Sequence, residues 1–97
     1  MEYTVYRVVV GRQFEDVDMD MCPIPGNEDF YTETMASKKE AIRQAQRHFD
    51  RQPLNDYVHQ VWARVFPITI TDKGTTYGKV IYRKYKAEDT DIYGTRK

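Results

Sequence analysis

Ninety-seven residues make one small domain, and a 40% hydrophobic fraction with 13% aromatics argues against intrinsic disorder. A formal net charge of zero removes the simplest electrostatic case for nucleic-acid binding, and no apolar run approaches the ~18 residues that span a bilayer. A lone cysteine, Cys22, excludes an internal disulfide and points to a reducing cytoplasm; the start, MEYTVYRVVV, lacks the basic flank and long apolar stretch of a signal peptide.

Residues 3 to 10, YTVYRVVV, are nearly all β-branched or aromatic and predict a central strand buried on much of both faces. Gly11 and Arg12 read as a tight turn. Val17, Met19 and Met21 then alternate with Asp16, Asp18 and Asp20, which predicts a second strand with an inward apolar side and an outward acidic row. Pro23 and Pro25 cannot donate to a ladder, so this strand should stop near Cys22, with a loop through Pro25-Gly26-Asn27 to about Glu28. Phe30 to Met35 favours extended structure again.

Ser37-Lys38-Lys39-Glu40 is a capping box, so a helix should start at Lys38. Ala41, Ile42, Ala45 and Phe49 fall on one apolar face and Lys39, Arg43, Arg47 and Asp50 on the other; Pro53 ends the helix near Arg51 or Gln52. Asp56 to Phe66 has strand composition, with Pro67 as a bulge or bend and Ile68-Thr69-Ile70 continuing to a turn at Asp72-Lys73-Gly74. A last strand is expected from Tyr77 to Tyr85, in a hairpin with its predecessor. These elements give an α+β domain over residues 1 to 87: one antiparallel sheet of four to five strands with one amphipathic helix on one face, in the order β-β-(β)-α-β-β, followed by a polar, flexible tail from 88 to 97. With a single helix, the second sheet face is left to solvent or to a partner.

The zero net charge hides a segregation. Between residues 14 and 35 stand Glu15, Asp16, Asp18, Asp20, Glu28, Asp29 and Glu33 with no Lys or Arg, whereas residues 36 to 51 balance to +3 and residues 56 to 87 to +4. As a calcium loop the acidic stretch fails, because an EF-hand starting at Asp16 would need Gly where Met21 stands and Glu where Asn27 stands. As an edge strand, its charge would simply block aggregation. As a recognition surface, a ladder of carboxylates imitates a phosphate backbone and would attract a basic groove.

Nucleophilic catalysis finds little support. Cys22 lies among acids that would raise its pKa, His48 and His59 lack zinc-ligand spacing, and the glycines are scattered singly through turns instead of forming a phosphate loop. No metal or cofactor is implied. The first reading is therefore a small, non-enzymatic binding or regulatory protein that contacts a protein partner with a basic surface through Glu15, Asp16, Asp18, Asp20, Glu28 and Asp29. A phage or mobile-element inhibitor that engages a nucleic-acid-binding groove is its specific version. The alternative is a nucleic-acid-binding module using Lys39, Arg43 and Arg47 of the helix, or Trp62, Arg64 and Arg83 with Tyr82 and Tyr85 on the open sheet face. Oligomeric state is left open, because the uncovered face bearing Trp62 and Tyr side chains could also pair with a second copy, giving a homodimer.

Overall fold

A computed structural model describes residues 1–17, 19–20, 23–55 and 57–87. It shows one antiparallel five-stranded sheet with a single helix packed on one face, as composition and pattern predicted. The elements run β1 (Tyr3–Val17), β2 (Pro23–Met35), α1 (Lys38–Arg51), β3 (Val58–Thr71), β4 (Gly74–Tyr77) and β5 (Tyr82–Ala87). Strand order is β2-β1-β3, and β4 and β5 share the remaining edge of β3. No helix among the described residues is long and apolar enough to cross a membrane. Residues 88 to 97 and Cys22 lie outside the described residues.

The first half departs from the expected boundaries. Gly11-Arg12 is no turn: β1 runs straight through it for 15 residues, paired with β2 on one side and β3 on the other. The chain reverses instead at Met19-Asp20, so the expected strand through Cys22 ends at Val17, and Met19, expected to face inward, is 98% exposed. Three adjacent Asp residues are poor strand formers and repel one another, while Asp favours turns, so the reversal falls where the acids concentrate. The Pro-rich segment expected to be a loop is the start of β2. Because β2 is an edge strand, alternate N–H groups have no ladder partner, and Pro23 and Pro25 are tolerated opposite Val17 and Glu15.

The helix follows its pattern closely. Ser37 Oγ accepts from the Glu40 N–H at 3.1 Å, and Gln52 closes the other end by donating to the Phe49 carbonyl, ahead of Pro53. Glu40 does not reach back to the cap; its carboxylate instead accepts from Arg43 and Gln44 one turn on. Ala41, Ala45 and Phe49 form the buried helix face and pack on Val8, Val10, Val58, Val61, Ala63 and Val65 of β1 and β3, with Ile42 at the margin.

In β3, Pro67 stands in the middle of a central strand, where a missing N–H should break the ladder. It fits because β5 pairs with β3 only from Gln60 to Val65 and β4 only from Ile68 onward, leaving Pro67 in the gap. Across that gap the Gly78 N–H donates to the Pro67 carbonyl at 2.8 Å, and a Cβ at Gly78 would come within 2.7 Å of Pro67 Cγ. The single strand expected from Tyr77 to Tyr85 is therefore two, separated by the residues that pass Pro67. Gly74, at φ +133°, closes the tight β3–β4 turn.

Candidate functional site

Two anchors fix which side chains share each face of the sheet. Val61, Ala63 and Val65 belong to the helix-side core, and the ammonium groups of Lys84 and Lys86 lie over the Phe49 ring of α1. Alternation along β3 and β5 therefore turns Trp62, Arg64, Phe66, Arg83 and Tyr85 to the opposite, helix-free face. Register arranges that face in cross-strand rows. One row reads Asp29, Gly11, Trp62, Tyr85 across β2, β1, β3 and β5; the next reads Thr32, Val9, Arg64, Arg83; a third reads Thr34, Arg7, Phe66. Toward β4 follow Val5, Ile68 and Tyr77. Rows on one face are about 7 Å apart.

This face differs from an ordinary solvated sheet surface in three respects. Its tyrosines are open, with Tyr85 59%, Tyr77 67% and Tyr3 54% exposed, Trp62 and Phe66 are half-buried, and Phe66 meets Tyr77 edge to face at 6.3 Å. Its cations are arginines, and Arg64 stands directly opposite Arg83, an arrangement of like charges that costs stability in a sheet. Arg7 lies diagonally from Arg64 on β1, held by a 2.8 Å bond from its Nε to Thr34 Oγ1. Among the described residues no carboxylate forms an ion pair with Arg7, Arg64 or Arg83. A diagonal of three arginines is thus bracketed by an aromatic pair on each side, Trp62 with Tyr85 and Phe66 with Tyr77.

Gly11 is buried because Trp62 crosses it. A Cβ there would come within 2.4 Å of the Trp62 indole nitrogen and 2.7 Å of Asp29 Oδ1, so both polar atoms converge on one point above the glycine.

The expected helix cations sit elsewhere. Lys39, Arg43 and Arg47 are exposed on α1, on the other side of the sheet from Trp62, Arg64 and Arg83, and Arg43 is tied to Glu40 at 2.6 Å. Tyr82, grouped with the open-face residues from sequence, points to the helix side, where its hydroxyl is buried without a partner among the described residues. Burial first, and the Asp50 charge second, push its pKa up.

The described acids are divided between surfaces. Glu28 faces the helix side and pairs with Arg12 at 2.5 Å; the same guanidinium donates to Gln52 at the helix end and lies over the Phe14 and Phe30 rings. Glu15 approaches His59 at 3.5 Å, Asp29 stands on the open face, and Asp20 is in the β1–β2 turn. Asp16 is the penultimate residue of β1, opposite Ile24, and Asp18 lies outside the described residues. Among the described residues no three His, Cys, Asp or Glu side chains converge as metal ligands.

A concavity runs along the β2 edge beside α1, lined in part by Tyr31, Glu33, Arg47 and His48. Tyr31 and His48 stack with centroids 3.6 Å apart, and the Tyr31 hydroxyl donates to Glu33 at 2.6 Å. Burial and that bond raise the Tyr31 pKa to about 12, while burial and then the charges of Arg47 and Arg51 lower that of His48. The stacked Tyr31 and His48 rings join the edge strand to the helix.

Sequence reasoning named Trp62, Arg64, Arg83 and Tyr85, and strand alternation puts Phe66 on the side of Trp62 and Arg64, but it missed Arg7 and Tyr77 as their neighbours. The alternation in YRVVV carried a signal for Arg7, since a lone cation in a strand core has to face outward. Comparisons with protein-family models, curated proteins and solved structures found no match.

Proposed function

We propose that the protein is a non-enzymatic binding module that takes single-stranded nucleic acid on the open sheet face. The observation that carries this reading is the unpaired arginine diagonal, Arg7, Arg64 and Arg83, set between two aromatic pairs. Guanidinium groups supply multidentate donors for phosphate, and exposed aromatic rings supply stacking surfaces for bases, each worth about 1–3 kcal/mol in known single-strand binders. Placing Arg64 opposite Arg83 costs the free protein, and an anion bridging them removes that cost. Duplex fits less well, because a sheet face with aromatic side chains offers stacking to unpaired bases, and the helix lies on the other side of the sheet from the arginines.

Trp62 is the chain's sole tryptophan, so its emission reports occupancy of this face. A mixed-sequence single-stranded oligonucleotide at low salt is expected to quench Trp62. Arg64→Gln with Arg83→Gln should weaken binding at least tenfold, while joint replacement of Asp16, Asp18 and Asp20 by Asn should leave it intact. Absence of any quench or retention by wild type at low salt would overturn the reading. Met19, 98% exposed beside Asp20 at the hairpin turn, marks where a basic protein partner would instead dock. Binding of poly-lysine that the triple Asn variant abolishes, with no oligonucleotide binding, would assign function to the acidic turn.

A further inference from the structure

We infer that Asp29 is a base-reading residue, selecting a base with an exocyclic amino group, cytosine over uracil, when that base stacks on Trp62. The inference rests on the nucleic-acid reading of the open face and adds to it which base the first row prefers.

Asp29, Gly11, Trp62 and Tyr85 are successive cross-strand partners in one row. The absence of a side chain at Gly11 lets the indole lie across β1 toward the edge strand, and brings the indole nitrogen and Asp29 Oδ1 to the same point. A carboxylate is therefore placed at the polar rim of the aromatic platform. Asp29 is exposed, and no ion pair or hydrogen bond holds it among the described residues. A carboxylate beside a phosphate-binding surface repels the backbone; the Trp62 indole N–H converges on the same point as Oδ1, and the second carboxylate oxygen is left to accept from a donor on the stacked base. An ionised carboxylate only accepts hydrogen bonds. Cytosine presents its N4 amino group as a donor at the position where uracil presents the O4 acceptor, so the same oxygen attracts one base and repels the other.

The test is the titration of Trp62 emission with oligo(dC) and oligo(dU) of equal length at neutral pH, which share sugar, phosphate and ring size and differ in the donor pattern of the base edge. Wild type is expected to bind oligo(dC) about tenfold more tightly, the discrimination of one good base-edge contact. Asp29→Ala and Asp29→Asn should bring the two within about twofold, with unchanged circular dichroism showing that the exposed position tolerates both. Equal affinity of wild type for the two oligomers, or a preference that survives Asp29→Ala, would overturn the base-reading role while leaving binding itself in place. If neither oligomer quenches Trp62 at low salt, the nucleic-acid reading falls and this inference with it.

Discussion

At Gly11 the cost of adding one methyl group is set by a residue fifty-one positions away. The Cβ of alanine would overlap the Trp62 ring, a large side chain fixed by its strand, with the indole nitrogen 2.4 Å away. Such overpacking costs about 1–3 kcal/mol, so Gly11→Ala is expected to lower the urea midpoint by a corresponding amount and to shift Trp62 emission as the ring is lifted. A variant with unchanged stability and emission would show that the indole does not rest on Gly11. From sequence, Gly11 before Arg12 resembled a turn because glycine's local signal is conformational freedom. Its real reason here, close approach of a distant aromatic, has no local signature. Pro67 and Gly78 illustrate the same limit: Pro67 suggests a bulge or bend and Gly78 falls inside one expected strand, and only the pairing of β3 with two separate short strands shows that the two fit each other.

At the scale of elements, the helix was the most legible part of the chain. Its period of 3.6 and its cap are written in contiguous residues, and Ala41, Ala45 and Phe49 are buried as their spacing requires. Ser37→Ala removes the acceptor for the Glu40 N–H and is expected to cost about 1 kcal/mol by thermal or chemical denaturation. Oligonucleotide affinity should not change, because α1 lies on the far side of the sheet from the arginine diagonal. The strands were read correctly in type but not in extent. Val17, Met19 and Met21 alternated with acids well enough to suggest a strand, yet period two persists into a turn when the turn formers are themselves Asp. Register, on which the candidate site depends, was illegible, since bulges at Val10/Gly11 and Gln13/Phe14 shift the facing residues.

Across the whole molecule, which measures 54 × 30 × 22 Å, the paired β1–β2 hairpin sets the long axis and the single helix covers one side of the sheet only. Zero net charge concealed the consequence. In the fold the described acids are divided between surfaces, and the open face carries Arg7, Arg64 and Arg83 together with Asp29. A second copy of the chain competes for that face, and the two occupants differ in salt response: phosphate contacts release condensed counterions, whereas apolar self-association strengthens as salt rises. Doubling of mass in light scattering that persists at high salt would assign the face to a dimer.

The most direct measurement is therefore the salt dependence of single-strand affinity read by Trp62 emission. Three arginine–phosphate contacts on a single strand correspond to a slope of log K against log salt of about −2, and the variant with Arg64→Gln and Arg83→Gln should fall to about −0.7. A slope near zero, or a slope identical in wild type and the double variant, would contradict nucleic-acid binding through the arginine diagonal.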